Sequence, residues 1–364
     1  MATRIHQFAH LPQARRVPAG EPLGEWPVRR ERKIGEAPRV GVIYNPRSHR
    51  NEGADFDCGV CPQVHIATPE NRDALPDALI EFARAKIDLL VINGGDGTVR
   101  DVLTCGDGIF GDNWPEIAVL PKGKTNALTV DLGVPLDWSL QDAIEAFDHG
   151  GRALRRPVEV SDVEKGVSSR VLGFLLGAGA FTRATKAGQS AHKLGAFNSA
   201  VVALTALWAL AQALFASRQN PWRRGSRMRI TLGRRGSLMA HSGKGDPEYR
   251  QLLLATSLEN LPAGLKPFGR LASGLRMVAV DQVGRRTTAM LPRVAFGTSI
   301  PGLREKGVHQ LSLSEFALEI DDPFIFDGEA FPPGSYRVGL GPVLSFVTPQ
   351  HSGTSATAAP VAPA

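Results

Sequence analysis

Cysteine is scarce in this 364-residue chain. Cys58, Cys61 and Cys105 are too few for a disulfide framework. Cys58 and Cys61 have C-x-x-C spacing, but no second pair and no histidine at finger spacing completes a zinc site. Pro62 and the apolar Val64, His65 and Ile66 follow, which is not how a redox pair opens a helix. The two read as free thiols in a loop. The N-terminus lacks an apolar core of signal-peptide length, so a cytoplasmic location is expected. Internal repeats are missing, and so is any recognised nucleic-acid-binding module, which argues against a nucleic-acid partner. Acidic residues are the minority, 36 against 42 Lys and Arg, giving a net charge of +6 and a pI near 9.4. That balance suits anionic partners: nucleotide, nucleic acid or an anionic membrane.

What is present fits a soluble globular protein, with 43% hydrophobic and 21% charged residues and length for two domains. Residues 1–36 hold Arg15, Arg16, Arg29, Arg30, Arg32 and Lys33 among prolines and read as a flexible basic arm. Residues 348–364, rich in Ala, Pro, Ser and Thr, read as a disordered tail. Between them, residues 37–158 read as an α/β nucleotide-binding domain and 159–347 as a β-rich domain.

The first half alternates buried strands with helices. Residues 39–44 and 88–93 and Glu116 to Leu120 are apolar strands. Helical spacing at Leu75, Leu79, Phe82 and Ala83 marks a helix over 69–86, and residues 99–104 mark another. This alternation predicts a Rossmann-like, doubly wound parallel sheet. In such sheets ligands bind beyond the carboxyl ends of the strands. Three loops leave from that edge: Asn45 to Ser48, Gly94 to Thr98, and Pro121 to Asn126. The second half has short alternating segments at 170–177, 227–232, 251–256, 276–280 and 310–313, divided by Gly, Pro and Arg-rich turns, which predict an antiparallel β-rich sandwich domain.

The run Gly94, Gly95, Asp96, Gly97, Thr98 joins a buried strand to a helix. Its glycines permit positive φ and close approach of backbone N–H groups to a phosphate, and the helix start favours an anion. Asp96 is its only acid, suited to a metal ion or to orienting a reacting group. As a bare turn, Asp96 would simply cap the helix. In the third loop Gly123, Lys124 and Thr125 imitate a Walker A end, but Ala118 stands where that motif needs glycine. Lys122, Lys124, Thr125 and Asn126 still offer donors to a triphosphate; otherwise the loop is a solvated basic turn.

Asn45-Pro46-x-Ser48, then GGDGT, then Pro121-x-Gly123-x-x-Asn126, then Asp327-Gly328-Glu329, resembles the catalytic domain of diacylglycerol, sphingosine and bacterial lipid kinases. The likeness runs from Arg39 to Val347 and includes Gly177-x-Gly179. It implies an α/β nucleotide domain followed by an antiparallel β domain, with ATP and Mg2+ between them. It also implies phosphoryl transfer to a membrane lipid alcohol, diacylglycerol or a relative. By resemblance, Thr68, Gly95, Asp96, Gly97, Thr98 and Asn126 meet nucleotide or magnesium; Asn45, Gly94, Lys124 and Thr125 complete the candidate set. Asp96 is the candidate metal ligand. Asp327 and Glu329 stand across the cleft, with Glu329 resembling the proton acceptor and Asp96 and Asp327 assisting. The alternative for Asp327-Gly328 is a hairpin turn. Two departures are visible. Lys124 stands in the family's threonine position. The segment Ala272, Ser273, Gly274, Leu275 lacks the carboxylate that holds a structural magnesium in bacterial members, so that second site is expected to be absent.

Residues 194–217 contain no charge, and Arg218, Arg223, Arg224, Arg227 and Arg229 follow, with Trp222 among them. A membrane span, a buried helix and an interfacial helix all meet that description. An insoluble substrate favours the interfacial reading, with an anionic membrane surface as partner and peripheral association. Other functions stay open: a soluble kinase of the NAD kinase type, or a catalytically impaired nucleotide-binding protein at the membrane. Oligomeric state and the acyl substrate are not encoded in any motif.

Overall fold

A computed structural model describes Arg30, Arg32 and residues 36–51, 63–164, 169–185, 220–242 and 245–350. Cys58 and Cys61, the uncharged stretch 194–217 with Arg218, residues 351–364 and most of the basic arm lie outside these residues. Two arginines of the arm are tied down: Arg30 pairs with Asp88 at 2.9 Å, and Arg32 pairs with Asp148.

The first sheet is built from β1 (Val40–Tyr44), β2 (Val64–Ala67), β3 (Leu89–Gly94), β4 (Glu116–Pro121), β5 (Gly151–Arg155) and β18 (Leu344–Thr348), in the order β2-β1-β3-β4-β18-β5. β2, β1, β3 and β4 are parallel. β3 is buried along its whole length, as an apolar run under helices on a parallel sheet must be. Helices α1 (Leu75–Arg84), α2 (Asp96–Phe110), α3 (Ala127–Asp131) and α4 (Leu140–His149) follow the strands. α1 buries Leu75, Leu79, Phe82 and Ala83, the stripe its spacing foretold. It sits so close to β1 that a methyl group at Gly41 would lie 2.7 Å from the Phe82 ring. α4 opens with a capping box between Ser139 and Asp142.

The remaining strands are β6 (Val158–Asp162), β7 (Arg170–Gly173), β8 (Leu175–Gly179), β9 (Ser226–Leu232), β10 (Ser237–Leu238), β11 (Tyr249–Thr256), β12 (Leu275–Asp281), β13 (Val308–Leu313), β14 (Phe316–Ile320), β15 (Phe324–Phe326), β16 (Glu329–Phe331) and β17 (Gly334–Leu340). Among the described residues they form one 12-stranded antiparallel sheet. β9 bridges its two halves by pairing with both β11 and β14. β9 and β14 alternate buried and exposed residues, the mark of a sheet with one face on a core.

The α/β and β halves of the sequence reading are both present, with two differences. The first sheet is mixed, because β18 pairs parallel with β4 and antiparallel with β5. Residues 344–348, assigned from sequence to the β-rich part and the tail, thus return to the first sheet. Phe346 and Val347 are fully buried there, and that burial drives the return. The second half is one continuous antiparallel sheet whose two halves share a single core. The stretch 170–177 is also two strands, broken at Phe174, and that break belongs to the site.

Candidate active site

The three expected loops converge beyond the carboxyl ends of β1, β3 and β4. The side chains that sequence reading assigned to a nucleotide mostly hold these loops together. Asn45 donates from Nδ2 to Thr98 Oγ1 at 2.8 Å, joining the first loop to the second. Asp96 Oδ1 accepts from the Ala127 N–H at 2.7 Å, joining the second loop to the start of α3. Asn126, left-handed at φ 51°, accepts from the Gly123 N–H at 2.7 Å and donates to the Gly123 carbonyl at 3.0 Å, closing the third loop on itself. Lys124 and Thr125 stay exposed on that loop, and Thr68 is exposed just past β2.

The glycines of GGDGT act through the side chain they lack. Gly94, Gly95 and Gly97 are not among the positive-φ glycines, which corrects the conformational reading. A methyl at Gly95 would lie 2.8 Å from the Gly123 backbone, so two loops touch glycine to glycine. A methyl at Gly97 would meet Glu329 Oε1 at 3.6 Å, an ordinary contact. Gly95→Ala is therefore expected to force the loops apart and to destabilise the fold by about 1–3 kcal/mol. Gly97→Ala should keep or slightly raise stability, since alanine is the better helix residue. Thermal melts of the two variants check this; equal losses would contradict it.

The second sheet delivers the acids through the β15–β16 hairpin. Its turn is Asp327-Gly328, with φ 44° and 81°, between the paired residues Phe326 and Glu329. The hairpin-turn reading of this segment is what the backbone shows, and the turn sends Glu329 toward α2. Asp327 turns inward and is buried. Its oxygens accept from the backbone N–H groups of Phe174 and Leu175, each at 2.9 Å, and so fix the break between β7 and β8. Burial first, and then the charge of Asp96, push the Asp327 carboxyl up to about 7. Burial likewise raises Asp96, against the amides of Ala127, Leu128 and Asn126.

Asp327 therefore takes its proton more readily folded than unfolded. The stability it contributes is fully present below the unfolded value of about 4 and is lost as pH rises through about 7. Asp327→Asn removes this component. Between about pH 5 and pH 8 the wild-type melting temperature should fall further than that of the variant. Parallel pH profiles would contradict the assignment.

Glu329 is held by two arginines that sequence reading missed. Arg72 Nη2 donates to both its oxygens, at 2.6 and 2.7 Å, and Arg100 Nη2 lies 2.8 Å from Oε2. Both arginines also pair with Asp101, at 2.7 Å for Arg100. Arg100 is fully buried on α2 and donates to the Phe326 carbonyl at 3.1 Å. Burial opposes its charge, yet Asp101 and Glu329 outweigh burial and hold the guanidinium above its ordinary value. Arg72 is about one-third exposed, at 30%. A signal for Arg100 existed: an arginine one turn after Asp96, among Val99, Val102 and Leu103, must bring its own counter-charges. Arg72 carried none, lying in a polar stretch that reads as solvated. Asn51 was also missed; its Nδ2 reaches the Asn93 side chain at 2.8 Å beneath the first loop.

The assembly brings Asp96, Gly97, Asp327 and Glu329 together from two sheets, beside loops that present Lys124 and Thr125. A family model for the diacylglycerol kinase catalytic domain matches residues 39–161. A diacylglycerol kinase of Bacillus subtilis strain 168 is 33% identical over 134 residues, 34% of this chain and 42% of that protein. The chain thus matches less than half the length of that relative. A crystal structure of a diacylglycerol kinase from Bacillus anthracis strain Sterne has the same fold, with a TM-score of 0.52 at 16% identity over 85% of this chain and 97% of that one. Two further structures from that organism give TM-scores of 0.54 and 0.56.

No group of three or more His, Cys, Asp or Glu side chains that could hold a metal exists among the described residues. With its carboxylate turned to the α3 amides, Asp96 does not form a protein cage for Mg2+ in this conformation. Among the described residues no helix is long and apolar enough to cross a membrane.

Proposed function

We propose that this chain is an ATP-dependent lipid kinase that moves the γ-phosphate of ATP to the hydroxyl of a membrane lipid alcohol, diacylglycerol or a close relative. The observation that supports it most is the position of Glu329. A carboxylate on the second sheet lies against Gly97 of the phosphate-type loop on the first, within a net of charges. Phosphoryl transfer asks a protein mainly to align its reactants and to meet charge. The loop amides at the start of α2, with Lys124 on the neighbouring loop, suit a polyphosphate.

Glu329 is the proton acceptor for the lipid hydroxyl in this reading. As found, its oxygens are engaged by Arg72 and Arg100. Arg100 is fixed by burial, whereas Arg72, partly exposed and paired with Asp101 and Glu329, would exchange a carboxylate for an incoming phosphate. Nucleotide binding then releases one side of Glu329 for the hydroxyl. Asp327 serves as the anchor that sets the hairpin, and Asp96 as the stitch between loops. Magnesium would be supplied with the nucleotide as counterion of its phosphates, and no step here depends on a protein cage for it.

The test is to follow labelled γ-phosphate from ATP in the presence of lipid alcohols, NAD+, or no acceptor. Label in a phospholipid supports the reading. Label in NAD+ alone, or only in free phosphate, defeats it.

A further inference from the structure

On the far side of β12 a surface stands out by its unanswered charge. The helix Arg285–Ala295 follows that strand and packs Thr287, Thr288 and Val294 inward. Arg285, Arg286 and Arg293 are exposed on its other side. Phe296, which caps the helix, is 63% exposed, and its spacing from Arg285 and Arg293 puts it on their face. The Lys266 N–H donates to the Ala295 carbonyl at 2.7 Å, so Lys266 and the exposed Leu265 sit beside that helix end.

None of these four cations pairs with an acid among the described residues. Some exposed arginines elsewhere find partners, as Arg84 does with Glu81, Arg229 with Glu319 and Arg234 with Glu315, while among the described residues Arg235, Arg304 and Arg337 stand singly; what marks this face is four such cations together. Across residues 261–306 the only acids are Asp281, which is fully buried, and Glu305. The face therefore keeps its positive charge, with an aromatic and an aliphatic side chain at the same level.

We propose that this face, formed by Leu265, Lys266, Arg285, Arg286, Arg293 and Phe296, docks the protein on an anionic lipid bilayer. Guanidinium groups meet phosphate headgroups while Phe296 and Leu265 enter the boundary with the acyl chains. The choice of a bilayer over another polyanion rests on the lipid kinase reading. The surface lies outside the stretch 194–217 and outside the phosphate-type loops, so it brings the enzyme to its substrate without taking part in transfer.

Sedimentation of the full chain with vesicles tests this. Phosphatidylglycerol-containing vesicles should bind it at low salt and release it at high salt; pure phosphatidylcholine vesicles should bind it weakly. Replacing Arg285, Arg286 and Arg293 together by Gln should lower partitioning onto the anionic vesicles by roughly a hundredfold. Phe296→Ser, a separate variant at an exposed position, should lower it by roughly tenfold. ATP binding by calorimetry should be unchanged in both, so loss of docking is read apart from loss of the kinase. Wild-type partitioning by the triple variant would overturn the proposal. So would binding to a single-stranded RNA oligonucleotide through these arginines without binding to vesicles. Docking with no label transfer to lipid would leave the surface standing and remove the kinase reading instead.

Discussion

Glu329→Gln should lower turnover by about 10²–10⁴-fold while ATP affinity stays near that of the wild type. The substitution keeps the shape and one acceptor oxygen, but it removes the basic lone pair that, in the proposed mechanism, would take the hydroxyl proton. It also removes one of the carboxylates paired with Arg100, so some loss of melting temperature accompanies it. Calorimetry beside a turnover assay separates the effects. A collapse of ATP affinity with little further loss of turnover would make Glu329 a binding residue, and the proton acceptor would have to be sought elsewhere.

Arg100→Leu should destabilise the protein by about 3–5 kcal/mol, because it removes one partner of a buried ionic set and strands the others. Arg100 is fully buried, and Asp101, Glu329 and the Phe326 carbonyl all face it. Its guanidinium ties α2 to both ends of the β15–β16 turn. Arg100→Lys should recover only part of the loss, since an ammonium cannot reproduce the planar fork. Chemical denaturation measures both. A loss below about 1 kcal/mol for the leucine variant would mean that the clamp is not what holds the hairpin against the first domain.

Arg100 also shows where the sequence was legible and where it was not. The strands β1, β3 and β4 and the stripe of α1 were readable because local burial writes itself as an apolar run or a 3.6-residue repeat. The edge at which the loops gather follows from parallel strands alone. What side chains do at that edge did not follow. Asn45, Asp96 and Asn126 look like ligand-binding residues by type, yet their nearest donors and acceptors are the neighbouring loops. Residue type says that a group needs a partner; only the folded geometry says which one. Arg72 and Glu329 are separated by most of the chain, and no spacing rule connects them. β18 was misplaced for a related reason. A short apolar strand near the end of the chain reads the same whether it completes the second sheet or returns to the first. Its partners β4 and β5 lie far back in sequence, and only their open edge decides the matter.

The membrane reading made from sequence falls largely outside the described residues. From sequence, attention went to residues 194–217 and the arginines after them. In the described residues Arg227 pairs with Glu248 and Asp321, and Arg229 with Glu319, so part of that basic run is already answered. A cluster of cations with no acidic partner among the described residues lies on and beside the helix that follows β12.

The central claim is that a carboxylate on the second sheet completes phosphoryl transfer begun at the loops of the first. A single-turnover experiment tests it most directly. Wild-type protein and the Glu329→Gln variant are each preloaded with γ-labelled ATP and mixed with diacylglycerol in micelles, and the phosphorylated lipid is identified by mass. The account predicts labelled phosphatidic acid from the wild type and almost none from the variant, with ATP bound in both. Equal label transfer by the two proteins would contradict it.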